Sequence, residues 1–115
     1  MYYGALIMKI IHRFKNYERE ETVVALKRWR SKANKELAGL YEPSIQEEDA
    51  VISINEDLLS DGLDRELLSV CIHEYAHCYF NWASESRVRE FESKVMTLIK
   101  KLGIEIKRTK DPKPV

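Results

Sequence analysis

The sequence predicts an α+β fold: a small β-sheet with a long N-terminal helix, a central helix and an antiparallel C-terminal helix. Two short segments, 5–14 and 50–55, are rich in branched apolar residues or alternate apolar with polar ones, as strands do. Three longer segments repeat apolar residues at steps of three and four, as amphipathic helices do. A chain of 115 residues is long enough for one hydrophobic core. We therefore expect one domain, residues 1–107, and a mobile, polar, proline-bearing tail over 108–115.

The N-terminal half is predicted to hold a strand, a long helix and a second strand. "ALIMKIIHRF" (5–14) is mostly apolar and partly branched, which favours a strand and leaves a short helix as the alternative. Over 17–40, apolar residues recur at helical spacing until a Glu-Pro pair stops the pattern, which predicts a long amphipathic helix. "AVISIN" (50–55) alternates in polarity and predicts a strand. A loop follows, in which Asp61 or Asp64 is expected to cap the next helix.

The central helix, residues 63–82, carries the pattern that bears most directly on function. It is apolar over most of its circumference and has one polar stripe, formed by Glu66, Ser69, His73, His77 and Asn81. His73 and His77 lie one helical turn apart on that stripe. Two imidazoles at this spacing can bind one tetrahedral Zn²⁺ at about 2.0–2.1 Å, and Glu74 can act as general base toward the attacking water. The segment therefore predicts a catalytic zinc site.

The C-terminal helix is expected to supply the third ligand, which a catalytic zinc site of this type requires. Ser84 can cap this helix, which should run antiparallel to the central one, so the partner of His77 is expected near position 90. Glu85 is expected to lie too close to the turn, which leaves Glu90 and Glu92. The remaining histidine, His12, has a basic neighbour in the first predicted strand, and a structural role is expected for it.

Charge and cysteine content narrow the classes of partner. The 19 basic and 19 acidic residues balance, so the chain lacks the positive field of a nucleic-acid-binding domain, and nucleic acid is not an expected partner. The apolar run at 2–8 has no leading cationic region and is too short to span a membrane, so no membrane partner is expected. Cys71 and Cys78 lie two helical turns apart, too far to bridge, which favours a reducing, cytoplasmic location.

Residues 50–103 resemble the zincin metalloproteases, and more narrowly the gluzincins, whose third ligand is a glutamate on the following helix. The resemblance is carried by "AVISIN", by His73-Glu74-Tyr75-Ala76-His77 and by the helix that starts at 84. Within this group the chain is most similar to small ImmA/IrrE-type peptidases of phages and mobile elements, in which an I-x-N strand precedes the motif helix. The resemblance implies a minimal zincin-like fold.

The resemblance also implies a choice of third ligand. In gluzincins the ligand glutamate tends to be followed by inward-facing residues one, five, eight and twelve positions later. Counted from Glu90, all four positions are apolar, whereas three of the four counted from Glu92 are polar or charged. The resemblance therefore implies Glu90, although Lys94 stands where gluzincins often carry a residue that orients a histidine. A second resemblance is to SprT-like metalloproteases, in which Arg87 would occupy the place of a third histidine ligand.

These features imply zinc-dependent hydrolysis of a peptide or protein substrate, such as a specific regulatory protein. "AVISIN" is expected to lie along the cleft and to pair with extended substrate. Tyr79, Arg87 and Arg89 are the candidates for stabilising the oxyanion. The alternative is a catalytically silent zincin-fold binding protein with a structural metal. Glu74 favours the enzyme, because a structural zinc site has no use for a carboxylate beside its ligand.

Overall fold

The structure is a computed structural model that describes residues 9–28 and 38–115. Within these residues the chain forms a four-stranded sheet and three helices, which confirms the α+β class. The strands are β1 (Lys9–Lys15), β2 (Glu21–Lys27), β3 (Gly39–Glu42) and β4 (Ala50–Asn55), and the helices are α1 (Asp57–Ser60), α2 (Asp64–Tyr79) and α3 (Glu85–Lys101).

The sheet has the strand order β1-β2-β4-β3. β1 pairs with β2 and β3 pairs with β4 in antiparallel fashion, whereas β2 and β4 are parallel. The predicted strand at 50–55 is confirmed as β4. The strand predicted over 5–14 is confirmed from Lys9 onward, and residues 5–8 lie outside the described part of the chain. Because β2 and β4 each pair on both sides, the edges of the described sheet are β1 and β3.

The prediction of a long helix over 17–40 is wrong, because residues 21–27 form β2. The five residues from Thr22 to Leu26 are all buried, so this strand lacks the alternation that marks a half-exposed strand. Its β-branched residues Thr22, Val23 and Val24 favour a strand. Gly39 and Leu40, at the end of the predicted helix, begin β3 instead. Residues 29–37 lie outside the described part of the chain.

Helix α2 packs across one face of the sheet and forms the core with it. The fully buried cluster consists of Val24, Leu26, Ile52, Ile54 and Cys78. On β1, the ring of Phe14 stacks on Tyr75 and Tyr79 of α2, with centroids 5.3 and 6.2 Å apart. Burial of this apolar face leaves the opposite side of α2, with its two histidines, turned away from the core.

The start of α2 differs from the prediction. Neither Asp61 nor Asp64 caps the helix: its N-cap is Leu63, which makes no side-chain cap bond. Asp64 instead accepts hydrogen bonds from the backbone N–H and the Nε of Arg108, at 3.0 and 2.9 Å. The first turn of α2 is therefore tied to a residue 44 positions later in the chain.

Helix α3 follows α2 after a short connection and begins as predicted. The hydroxyl of Ser84 accepts a hydrogen bond from the backbone N–H of Arg87, at 3.3 Å, and so caps the helix. The segment predicted to be a mobile tail contacts the domain at several points besides Arg108. Lys9 Nζ donates to the carbonyl oxygen of Pro112, and the Val115 N–H donates to the carbonyl oxygen of Ile10. Among the described residues, no helix has the length and apolar character needed to cross a membrane.

Candidate metal centre

The centre of the candidate site is formed by α2 and the first turn of α3. His73, Glu74 and His77 lie in the second half of α2, which ends at Tyr79. Five residues then reverse the chain, and α3 starts at Glu85. The first turn of α3 consequently lies level with the last two turns of α2.

Three ligand atoms converge in this arrangement. His77 Nε2 lies 2.7 Å from Glu85 Oε1 and 3.2 Å from His73 Nε2, and the latter lies 3.3 Å from Glu85 Oε1. Atoms bound to one tetrahedral zinc ion at about 2.0–2.1 Å are separated from one another by about 3.3 Å. The three atoms therefore already stand close to one triangular face of such a tetrahedron, and these residues fit a metal ion without rearrangement of the backbone.

The carboxylate of Glu92 orients the imidazole of His73 from the side opposite the ligand cluster. Glu92 Oε1 lies 2.7 Å from Nδ1 of His73, and the hydroxyl of Ser69 donates a hydrogen bond to the other oxygen of Glu92. Because a carboxylate accepts hydrogen bonds, the proton of a neutral His73 belongs on Nδ1, which leaves the lone pair of Nε2 directed at the cluster. A carboxylate–histidine pair of this kind is usual behind metal-bound histidines.

Glu74 is the one acidic side chain of the site that is buried, with 7% of its surface exposed. Burial raises the pKa of its carboxyl group; Glu85 and Glu92 raise it further, and the two histidines oppose them. Glu85 is half exposed. Burial raises its pKa too, but the hydrogen bonds from His77 and Arg89 and the charge of the histidines outweigh that effect, and its net pKa is lowered. The pKa values of Glu74 and Glu85 are thus shifted in opposite directions, as suits a base and a ligand.

These groups line a cleft of about 660 Å³ between α2, α3 and β3. Gly39 in β3 forms the opposite wall, and it comes so close to α2 that a Cβ atom there would lie 3.0 Å from Glu74 Cγ. The backbone of the edge strand therefore lies directly beside the buried carboxylate at the wall of the cleft.

The structure places the sequence-predicted ligands differently. It brings His73, Glu74 and His77 together, but the side chain of Glu90 is exposed and lies 4.0 Å from Lys94, away from the histidines. The expectation that Glu85 lies too close to the turn is wrong. α2 ends at Tyr79 rather than at 82, so the chain reverses earlier and Glu85 arrives beside His77.

The sequence of α3 contains a signal for this alignment of α3 with α2. Glu85 and Glu92 are seven residues apart and share one face of α3 with Val88, the one buried residue of that helix. Glu90 is five residues from Glu85, which puts it on a different face. The apolar residue Val88 therefore marks the face that turns toward α2.

Two further expectations about the cleft need correction. "AVISIN" is β4, whose two edges are already paired, so it cannot add an extended substrate; the edge strand at the cleft is β3. Tyr79 packs toward the sheet, where its hydroxyl donates to the carbonyl oxygen of Lys15. Of the three oxyanion candidates, Arg89 lines the cleft. His12 lies in β1, as expected, and stacks on Phe14.

Comparison with protein-family models, with curated proteins and with solved structures gave no significant match. Functional inference therefore rests on these residues and their arrangement.

Proposed function

We propose that this chain is a zinc-dependent peptidase of the zincin type, in which His73, His77 and Glu85 hold the metal and Glu74 is the general base. The observation that carries the proposal is the convergence of three ligand atoms beside a separate, buried carboxylate. A purely structural zinc site is usually closed by four protein ligands. Here the described residues supply three ligands and a cleft, which suits a catalytic site.

A bound zinc ion would supply Lewis acidity that polarises the scissile carbonyl and makes a water molecule easier to deprotonate. Glu74 follows His73 directly and cannot ligate the same ion alongside both histidines, so its carboxylate is free to take the proton of the attacking water. The water oxygen then bonds to the carbonyl carbon, the carbonyl double bond re-forms as the C–N bond breaks, and Glu74 gives the proton to the leaving amine nitrogen. The raised pKa of Glu74 suits both transfers.

The substrate that the cleft favours is an extended peptide paired with β3. The Asn55 N–H donates to the carbonyl oxygen of Ala38, so Ala38 and Asn55 form a hydrogen-bonded pair. Such pairs alternate along an antiparallel ladder, so the N–H and C=O groups of Gly39 and Tyr41 point away from β4. These groups are placed to pair with a peptide backbone at the sheet edge, in front of the metal ligands.

The metal ligands are tested by measuring zinc stoichiometry and affinity in competition with a chromophoric chelator. We expect one zinc ion per chain in the wild-type protein. His73→Ala, His77→Ala and Glu85→Gln should weaken binding by more than the roughly 10–100-fold that loss of an outer partner costs. Glu90→Gln on the same helix is the matched control and should bind zinc as the wild type does.

Catalysis is tested with a diverse peptide library and detection of new termini by mass spectrometry. Zinc-loaded wild-type protein should cleave, whereas Glu74→Gln should retain zinc and lose roughly 10²–10⁴ in rate. Equal cleavage by both proteins would show that Glu74 is not the base. A wild-type protein that binds zinc and cuts nothing would instead favour the silent binding protein.

A further inference from the structure

We propose that Arg89 binds the negative charge that develops on the carbonyl oxygen of the substrate during attack. This inference rests on the proposed peptidase function and assigns a group to the one part of that reaction that the ligands and Glu74 leave open. It is carried by the position of Arg89, by its unused donors and by the charge balance of the cleft.

Arg89 stands immediately beside the metal ligands. It lies one helical turn after Glu85, and its Nε donates to Glu85 Oε2 at 2.9 Å. The other oxygen of the same carboxylate lies 2.7 Å from His77 Nε2. A single carboxylate group therefore separates the guanidinium from the point where the three ligand atoms meet.

The guanidinium group of Arg89 has hydrogen-bond donors beyond the one that it uses on Glu85. Its Nε donates to Glu85, and within the described part of the chain its two Nη groups form no hydrogen bond or ion pair. The side chain is 72% exposed, so it can swing over the cleft while its Nε stays near Glu85. Two parallel N–H groups in a fixed plane are well suited to an anionic oxygen.

The other polar side chain in the cleft wall is turned toward the core. Tyr41 packs against the buried core cluster, and burial raises the pKa of its hydroxyl to about 12. Among the described residues that line the cleft, Arg89 is the one lysine or arginine. Backbone groups of β3 are the remaining donors, and they are placed to pair with the substrate backbone.

The charge balance of the site favours a cation beside the carbonyl oxygen. Glu74, Glu85 and Glu92 bring three negative charges against the two positive charges of a zinc ion. When Glu74 accepts the proton of the attacking water, the other two carboxylates balance the metal. The electron pair displaced from the carbonyl double bond then moves the negative charge that Glu74 has lost onto the carbonyl oxygen, where Arg89 can neutralise it. One donor aimed at such an oxyanion is worth roughly 10²–10³ in kcat.

The inference is tested by the binding of inorganic phosphate, a tetrahedral anion, to zinc-loaded protein, measured by titration calorimetry. Arg89→Ala should raise the phosphate Kd at least about tenfold, and Arg89→Lys, which keeps the charge but loses the fork of donors, should raise it less. Arg87→Ala removes a cation from the same turn of α3 outside the cleft and should leave the Kd unchanged. The zinc affinity of all three variants is measured in parallel: Arg87→Ala should match the wild type, whereas Arg89→Ala, which removes the hydrogen-bond partner of Glu85, should weaken zinc binding less than it weakens phosphate binding.

The outcomes separate this inference from the proposed function. Phosphate binding that is the same in Arg89→Ala as in the wild type would overturn the inference and leave the peptidase proposal standing. So would a loss of zinc affinity as large as the loss of phosphate affinity, because Arg89 would then act only by holding Glu85. A wild-type protein that binds no zinc would overturn both proposals together. For an active enzyme, Arg89→Ala should lower kcat and leave KM nearly unchanged.

Discussion

Replacing Gly39 with alanine should loosen the contact between β3 and the helix that carries the motif. A Cβ atom at this position would lie 2.5 Å from Val70 Cγ1 and 3.1 Å from Glu74 Oε2. Since carbon atoms pack at about 3.5–4.0 Å, α2 and β3 must separate by about 1 Å. The stiff, branched side chain of Val70 in a helix cannot easily rotate away. The backbone of Gly39 has no positive φ, so the glycine serves to provide space.

We expect Gly39→Ala to destabilise the protein by about 1–3 kcal/mol, the usual cost of overpacking. A displacement of about 1 Å near Glu74 should also lower activity by up to roughly a hundredfold. Stability is measured by urea denaturation followed by circular dichroism. Val70→Ala alone should cost about 1 kcal/mol, because it removes two half-buried methyl groups at about 0.8 kcal/mol each when fully buried.

The combination of the two substitutions is the decisive control. Val70→Ala removes the atom that the new Cβ would strike, so the double variant should be more stable than the sum of the single effects predicts, by about 1 kcal/mol or more. Strictly additive losses, or a Gly39→Ala variant as stable as the wild type, would refute the steric explanation.

Two further substitutions test contacts around α2. Glu92→Gln should weaken zinc binding roughly 10–100-fold, because it removes the carboxylate behind His73; an affinity equal to that of the wild type would exclude an orienting role. Arg108→Ala should lower the free energy of unfolding at neutral pH. Arg108 lowers the pKa of Asp64, so its stabilising effect is present above the pKa of the unfolded Asp64 and is lost as the pH falls through the folded one. Denaturation curves at several pH values should therefore converge for the two proteins in acid; a constant difference would contradict this linkage.

The sequence predicted those parts of the fold that depend on local chemistry. Strand β4 alternates in polarity, and α3 begins at the hydroxyl cap of Ser84; both features are decided within a few residues. The spacing of His73 and His77 on one helix is equally local. Strand β2 was missed because burial of five consecutive residues erased its alternation, and burial depends on what packs around the strand.

The proposed third ligand, Glu85, was harder to predict because its position depends on the exact end of α2. A difference of three residues in that end shifts the level at which α3 returns beside it. A shift of this size decides whether Glu85 or Glu90 lies beside His77. The contact between Glu92 and His73 depends on the same alignment of the two helices. Residue type and spacing could therefore predict the motif, but not its partner on the neighbouring helix.

The open edge of β3 has a consequence for the behaviour of the protein in concentrated solution. The end of the chain lies against β1, where the Val115 N–H is bonded to Ile10, whereas no described strand lies beyond β3. Unpaired N–H and C=O groups on an edge strand accept a strand from any chain, including another copy of the same protein. Only four residues long and ending in the charged Glu42, β3 offers a weak template for such aggregation. Self-association through this strand would cover the cleft, so a neighbouring copy would compete for the same backbone groups with the peptide that we propose to bind there.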